Sequence, residues 1–484
     1  MIPFTLAEVA QTVGGTLHDA PDPENITVSG PAFRDSRQVV PGGLFVAIVG
    51  ERADGHEFAA RTVADGAAAV LAARPVGVPA VVVDDVVAAL GRLARASVAR
   101  LAAGEPGGAG LTVTALTGSS GKTSTKDLIA QLLQRLGPTV FTPGSLNNEI
   151  GLPLTALEAD KETRNLVLEM GARGKGHIAY LTGIVPPRIG LVLNIGSAHV
   201  GEFGSREAIA EAKGEIVECL PEDGVAVLNA DDAMIRPMAE RTRARVLWFG
   251  EAESADIRAT DVRADQVGRP SFTLTTPTGS APVTLRLYGE HHVSNALAAA
   301  AVAHECGMPA ADIATALGEA GALSRWRMEV SERPDGVTVV NDAYNANPES
   351  MRAALRALAA IAGRGPDRRR SWAVLGEMAE LGESSLTEHD AIGRLAVRLD
   401  VTRLVAVGGN EAAWLELGAR NEGSWGEESV HVSDADAAIA LLREQVEPGD
   451  VVLVKASRSK GLERVAEALL ADGAAGAAPA GAGK

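Results

Sequence analysis

Hydrophobic and polar positions along the chain follow two rhythms. Short β-branched and aliphatic runs recur, each ended by glycines or a polar cluster. Between them lie longer stretches with apolar residues three or four apart. The short runs read as buried strands and the longer ones as amphipathic helices. Their regular exchange predicts parallel, doubly wound sheets, whose ligands gather at the carboxyl ends of the strands. The clearest unit begins with the strand Leu111–Thr117. It breaks at Gly118-Ser119-Ser120-Gly121-Lys122-Thr123, and a helical pattern runs from Thr123 to about Leu136, where Gly137-Pro138 stop it.

The same pattern places a strand over Asn165–Leu168 ending in Glu169, and another over Ile189–Gly196 followed by Ser197-Ala198-His199. Residues 251–290 alternate as antiparallel β-structure, with the turn at Thr275–Gly279. Four further strands, Val337–Asn341, Trp372–Leu375, Leu404–Val407 and Val451–Val454, each end in a polar or glycine loop. Ala102–Gly110 is Gly/Pro-rich without periodicity and reads as a linker. The expected architecture is α/β in three domains. A small N-terminal α/β domain spans 1–106, a central P-loop domain with a doubly wound parallel sheet spans 107–327, and a Rossmann-like α/β domain spans 328–470. An Ala/Gly/Pro tail of low complexity, 471–484, is expected to be disordered.

Strand, glycine loop and helix together make a phosphate cradle. Glycines admit backbone N–H groups to the phosphates, and the helix N-terminus adds partial positive charge. In that geometry Lys122 reaches the phosphates and the Thr123 hydroxyl holds Mg²⁺. The general form of the motif wants a glycine six residues before the lysine, where this chain has Leu116. Glu169, at a neighbouring strand end, is the acidic residue expected beside such an ion. From pattern alone His199 reads as a structural residue or a ligand, Lys213 on the helix around Ala208–Ile216 as an exposed lysine, and Asp35-Ser36-Arg37 as a surface turn that could also bind a diphosphate or sugar hydroxyl. Ser294 or Asn295 could cap the alanine-rich helix that follows Gly289. Lys455, Arg458 and Lys460 make the last strand-end loop basic, which suits a carboxylate or phosphate.

Composition narrows the class. The chain has 484 residues, 46% of them hydrophobic, and a net charge of −17. That charge argues against a nucleic-acid surface. Two cysteines without metal-ligand spacing, no basic leader and no apolar run approaching ~20 residues fit a cytoplasmic protein without membrane insertion.

Taken together, the motifs resemble the Mur ligases, the ATP-dependent amino-acid ligases of peptidoglycan synthesis. The resemblance rests on Asp35-Ser36-Arg37 with PGGLFVAIVGERADGHEF, TGSSGKTSTKD, SLNNEIGLP, LEMGA, NIGSAHVGEFGS with AKGEI, GEHHVSNALAA, the Arg325 region, NDAYNANPESM, VLGEMAELG and LVKASRSKGLE. It covers all but the tail. The last three motifs imply the family activity that joins D-alanyl-D-alanine to UDP-N-acetylmuramoyl-tripeptide. The tetrapeptide Asp-Asn-Pro-Arg of the ligase that adds the third amino acid is absent. That tripeptide-forming activity, and a folylpolyglutamate-synthase-like amide ligase, stand as alternatives.

The resemblance implies particular roles. Gly118, Ser119, Ser120, Gly121, Lys122, Thr123 and Ser124 would hold ATP, with Asn295, Arg325 and Asp342 contacting the nucleotide and Tyr344 and Asn345 near the adenine. Thr123 and Glu169 would hold one Mg²⁺, and His199 with Lys213 a second, Lys213 having reacted with CO2 to form a carbamate. Lys122, Lys213 and His199 would be catalytic. Asp35, Ser36, Arg37 and Asn148 would bind the sugar-nucleotide substrate. A monomer is expected, whose third domain stands away from the phosphate loop until ligands close it.

Overall fold

The computed structural model describes residues 1–51, 53–104, 110–196 and 200–476, with side chains to 473. The described residues form three α/β units in sequence. The first unit begins with the helix Leu6–Val13, held by a reciprocal cap in which Thr5 Oγ1 accepts from Glu8 N at 3.1 Å and Glu8 Oε2 accepts from Thr5 N at 2.9 Å. Its five-stranded sheet runs Thr16–His18, Ala80–Val82, Ala69–Ala72, Leu44–Val46, Ala32–Phe33, with only the first pairing antiparallel. The helix Val86–Ala103, N-capped by Asp85, lies over it and continues through Ala102 and Ala103 into the expected linker, stopping at Gly104. Alanine has the highest helix propensity, and it extends the helix there until glycine ends it.

The middle unit is organised on a nine-stranded sheet. In spatial order its strands are Gly279–Thr284, Pro270–Thr276, Ile257–Ala264, Arg245–Gly250, Val225–Asn229, Ile189–Val192, Thr112–Thr117, Asn165–Glu169 and Thr139–Phe141. The last seven pair in parallel, and the first three form the antiparallel extension expected for 251–290. Thr112–Thr117 therefore sits between the strands that end near Glu169 and Asn194, so three strand ends converge on one edge. The helix Lys122–Leu133 leaves that edge and packs on the buried, alanine-lined helix His291–Glu305. It ends three residues earlier than its periodicity implies, because Leu136 N and Gly137 N both turn back to Leu133 O and Leu136 is exposed.

The third unit carries a six-stranded sheet in the order Glu329–Glu332, Thr338–Asn341, Val451–Lys455, Ser371–Gly376, Arg403–Val407, Ser429–Val432. Only Glu329–Glu332 runs antiparallel. Its closing helix, Glu463–Gly476, reaches six residues into the segment expected to be a disordered tail. Asp472 explains part of this extension: its carboxylate takes Arg443 Nε at 2.8 Å and Nη2 at 2.9 Å, tying the helix to its neighbour. Residues 477–484 lie outside the described residues. Among the described residues no helix is long and apolar enough to cross a membrane.

The third unit is seated against the phosphate loop. Asn347 Nδ2 donates to Ser119 O at 3.3 Å, Arg327 Nη2 donates to Thr123 Oγ1 at 3.1 Å, and the Ser145 and Tyr344 hydroxyls bond to each other. The expectation of a third domain standing away from the loop is not met in this conformation. These polar contacts, with the Arg327 guanidinium 4.1 Å over the Tyr344 ring, favour the closed arrangement.

Candidate active site

The turn after Thr112–Thr117 reverses direction at Gly121, whose φ of +78° lies in the left-handed region that glycine adopts without strain. A Cβ there would lie 2.6 Å from Asn295 Oδ1, so glycine also admits the Asn295 side chain to the loop. Lys122 opens the helix and folds back, its Nζ donating to Gly118 O at 2.8 Å. Burial lowers the Lys122 pKa, with Glu169 opposing that shift and Arg327 adding to it. Ser124 follows in the first helical turn.

Thr123 and Glu169 meet across the strand edge. Thr123 Oγ1 donates to Glu169 Oε2 at 2.8 Å, and Asn147 Nδ2 donates to Glu169 Oε1 at 2.7 Å. Both Thr123 and Glu169 are almost fully buried. A hydroxyl and an oriented carboxylate are hard oxygen donors, the set that suits Mg²⁺. Among the described residues no three His, Cys, Asp or Glu converge as a metal cluster. His199 lies outside the described residues.

Lys213 sits on the helix Arg206–Glu218 and borders the same cavity, although it is only 2% exposed. Burial, and then the charge of Lys122, push its pKa well below 10.5. Both causes favour the neutral amine over the ammonium at this position. The cavity, about 520 Å³, is also lined by Arg34, Arg173 and His177 on one side and by Asn345, Ser457 and Arg458 of the third unit on the other.

The remaining expected residues lie differently. Arg325 is exposed and pairs with Glu467 at 3.4 Å, outside the cavity. Two residues on, Arg327 reaches Thr123; it is held between Trp326 and Met328, whose φ values of +59° and +49° are strained for side chains of that size. Asp342 is buried and committed inside its own unit, accepting from Lys455 Nζ at 2.6 Å and from Met328 N at 3.0 Å. Asn148 borders the cavity, but its Oδ1 is engaged within its own turn, accepting from Gly151 N at 2.9 Å. Asp35 and Arg37 bond to one another through both carboxylate oxygens, holding the Asp35 pKa at about 2. Their neighbour Arg34 is the residue of that turn that borders the cavity. Arg327, Asn147 and Arg34 lie within the motifs' reach, one or two positions from Arg325, Asn148 and Asp35.

A phosphate cradle with an acidic strand end beside it, closed over by a second α/β sheet, defines a nucleotide-dependent enzyme with two substrate-facing sides. The chain matches the descriptions Mur ligase family, catalytic domain over residues 34–101, Mur ligase middle domain over 116–303, and Mur ligase, glutamate ligase domain over 326–458. The chain belongs to the Mur ligase family. It is 52% identical to the UDP-N-acetylmuramoyl-tripeptide–D-alanyl-D-alanine ligase of Mycobacterium tuberculosis, over 98% of this chain and 99% of that protein. The crystal structure of MurF from Acinetobacter baumannii superposes with a TM-score of 0.84 at 34% identity, covering 97% of this chain and 99% of that one. MurF from Thermotoga maritima in complex with ADP does so with a TM-score of 0.77 at 32% identity, over 92% and 98%.

Proposed function

We propose that the chain joins D-alanyl-D-alanine to UDP-N-acetylmuramoyl-tripeptide at the expense of ATP, as a step of peptidoglycan precursor synthesis. The observation that carries this reading is the convergence of Lys122, Thr123 and Glu169 at one cavity edge with the third unit's Asn345, Ser457 and Arg458 opposite, in a chain 52% identical to a ligase of that name. The terminal carboxylate of the tripeptide attacks the γ-phosphorus of ATP. An acyl phosphate forms and ADP departs. The amine of D-alanyl-D-alanine then attacks the acyl carbon, the C–O bond to phosphate breaks, and the amine's proton is lost as the amide forms.

Lys122 offsets the charge crowded between nucleotide and carboxylate, and Arg327 orients the Thr123 hydroxyl. The seated third unit excludes water, which otherwise hydrolyses an acyl phosphate. Thr123 and Glu169 fit one Mg²⁺; His199 and a carbamate on Lys213 are the proposed holders of a second. When bound, the ions neutralise phosphate oxygens. The burial that lowers the Lys213 pKa supports the carbamate, because only a neutral amine adds to CO2 and an ammonium could not ligate a cation. The first helical turn, Lys122 to Ser124, with Gly121 and Asn295, supplies the proposed nucleotide contacts, and Arg34 beside Asp35, Ser36 and Arg37 the proposed anion contact for the sugar-nucleotide. The form proposed is a cytoplasmic monomer acting on small molecules alone.

Phosphate release measured with each substrate omitted in turn tests this reading. Release that needs ATP, UDP-N-acetylmuramoyl-tripeptide and D-alanyl-D-alanine together supports it. Release with glutamate or a diamino acid in place of the dipeptide overturns it.

A further inference from the structure

The phosphate loop is shorter than the general cradle, with Leu116 where the longer form has its first glycine. Something other than that missing arc must hold the loop's leading half. The structure supplies it from the adjacent strand. Just past Ile189–Val192, Asn194 turns its amide onto the loop. Its Oδ1 accepts from Ser119 N at 3.0 Å and from Ser120 N at 2.9 Å, while its Nδ2 donates to Ser120 O at 3.1 Å. Backbone bonds reinforce the contact: Ser119 N also reaches Asn194 O at 3.1 Å, and Gly196 N donates to Ser119 Oγ at 2.9 Å.

Gly118 has a different reason for being glycine than Gly121 has. Its φ is not in the left-handed region. A Cβ on Gly118 would instead stand 2.9 Å from Leu193 Cβ and 3.5 Å from Asn194 N. The missing side chain lets the loop lie flat against the residues that carry the amide.

We infer that Asn194 is a positioning residue that latches the leading half of the phosphate loop, and that Gly118 is glycine to admit this latch. The inference rests on the loop being the nucleotide cradle. Asn194 touches no phosphate. It commits the Ser119 and Ser120 N–H groups, so the unpaired N–H groups of the first helical turn are the ones left for phosphate oxygens. Without the amide Ser120 N loses its acceptor, Ser119 N keeps only the Asn194 carbonyl, and the turn loses its shape.

The test uses the full chain with Mg²⁺ and ADP in isothermal titration, followed by steady-state kinetics. N194A and G118A should each weaken ADP binding by about tenfold or more, the loss expected when a charge-facing loop gives up its preorganisation. KM for ATP should rise with them, while KM for the UDP-linked substrate stays within about twofold, a split that general destabilisation would not produce. The double variant should be no weaker than the weaker single variant by more than about threefold, because both changes break one contact. G118A keeps the question open to refutation if N194A fails to fold. ADP affinity within about twofold of the parent in either variant, or losses that multiply in the double variant, would overturn the latch. A parent protein that binds no ADP would overturn the cradle reading, and the latch with it.

Discussion

Replacing Lys213 by methionine removes an amine and keeps most of the stem that packs around it. Lys213 is 2% exposed, and no carboxylate among the described residues offsets the burial that lowers its pKa. Burying a polar group without a partner costs ~1–3 kcal/mol. In CO2-free buffer at neutral pH, K213M should therefore stabilise the fold by about that amount, raising the melting temperature of the middle unit by ~2–4 °C for each kcal/mol. The sign of the pH dependence follows from the direction of the shift. The folded-state pKa lies below the unfolded value of 10.5, so between the two the unfolded chain binds more protons and wild-type stability climbs with pH. The advantage of K213M should shrink across that window and level off above it, where only the cost of burying the neutral amine remains.

The same variant should lose activity. If Lys213 carries the anionic ligand of an active-site cation, its removal forfeits charge placement worth ~10²–10³ in turnover. Differential scanning calorimetry and phosphate release on one preparation read both effects. K213A leaves space where short carboxylates, added at high concentration, should restore part of the rate. A K213M protein that melts below the parent and turns over normally would refute both halves of the argument, leaving Lys213 an ordinary buried helix lysine.

Three further outcomes are expected. K122A should lose ~10²–10³ in turnover while its circular dichroism stays unchanged, because the side chain contacts the loop and not the hydrophobic core. R327A should raise KM for ATP about tenfold or more by removing a charge-assisted bond, whereas R325A, exposed outside the cavity, should leave it within about twofold. D342A should destabilise the third unit by ~3–5 kcal/mol in urea titration, since it strands the buried Lys455 ammonium without its carboxylate.

Much of this arrangement is legible in the sequence, and the reasons for the rest are physical. Strand, glycine turn and helix around Lys122 all point the same way at the local level, so the cradle and its parallel sheet can be read directly. Strand ends carrying Glu169 and Asn194 follow from periodicity. What periodicity does not give is which of two near neighbours faces the cavity. Asn147 and Asn148 are adjacent in a turn; one donates to Glu169 and the other accepts from Gly151 N. Arg325 and Arg327 are separated by a tryptophan in the left-handed region, a backbone reversal that no propensity scale anticipates. Of the three basic residues in the last loop, Lys455 pairs with Asp342 and Lys460 with Glu377, while Arg458, itself paired with Glu463, is the one that borders the cavity. Charge counting finds the loop but cannot tell these fates apart.

The helix Arg206–Glu218 shows how such fates are decided together. Glu211 and Glu215 are four residues apart and so share a face, while Lys213 between them points elsewhere. Glu211 pairs with Lys175 at 2.5 Å. Glu215 is buried, and its two oxygens accept from Gly176 N at 2.6 Å and Ala179 N at 2.9 Å. It thereby caps the helix His177–Ile184, whose own N-cap residue, Gly176, has no side chain to do so. That cap fixes the turn bearing Arg173 and His177, which line the cavity opposite the third unit. One helix thus sets both the depth of the Lys213 amine and the position of the cavity-lining turn. A displacement of this helix cannot move one without the other. This gives the acidic residue of AKGEI a structural task, the capping of a neighbouring helix.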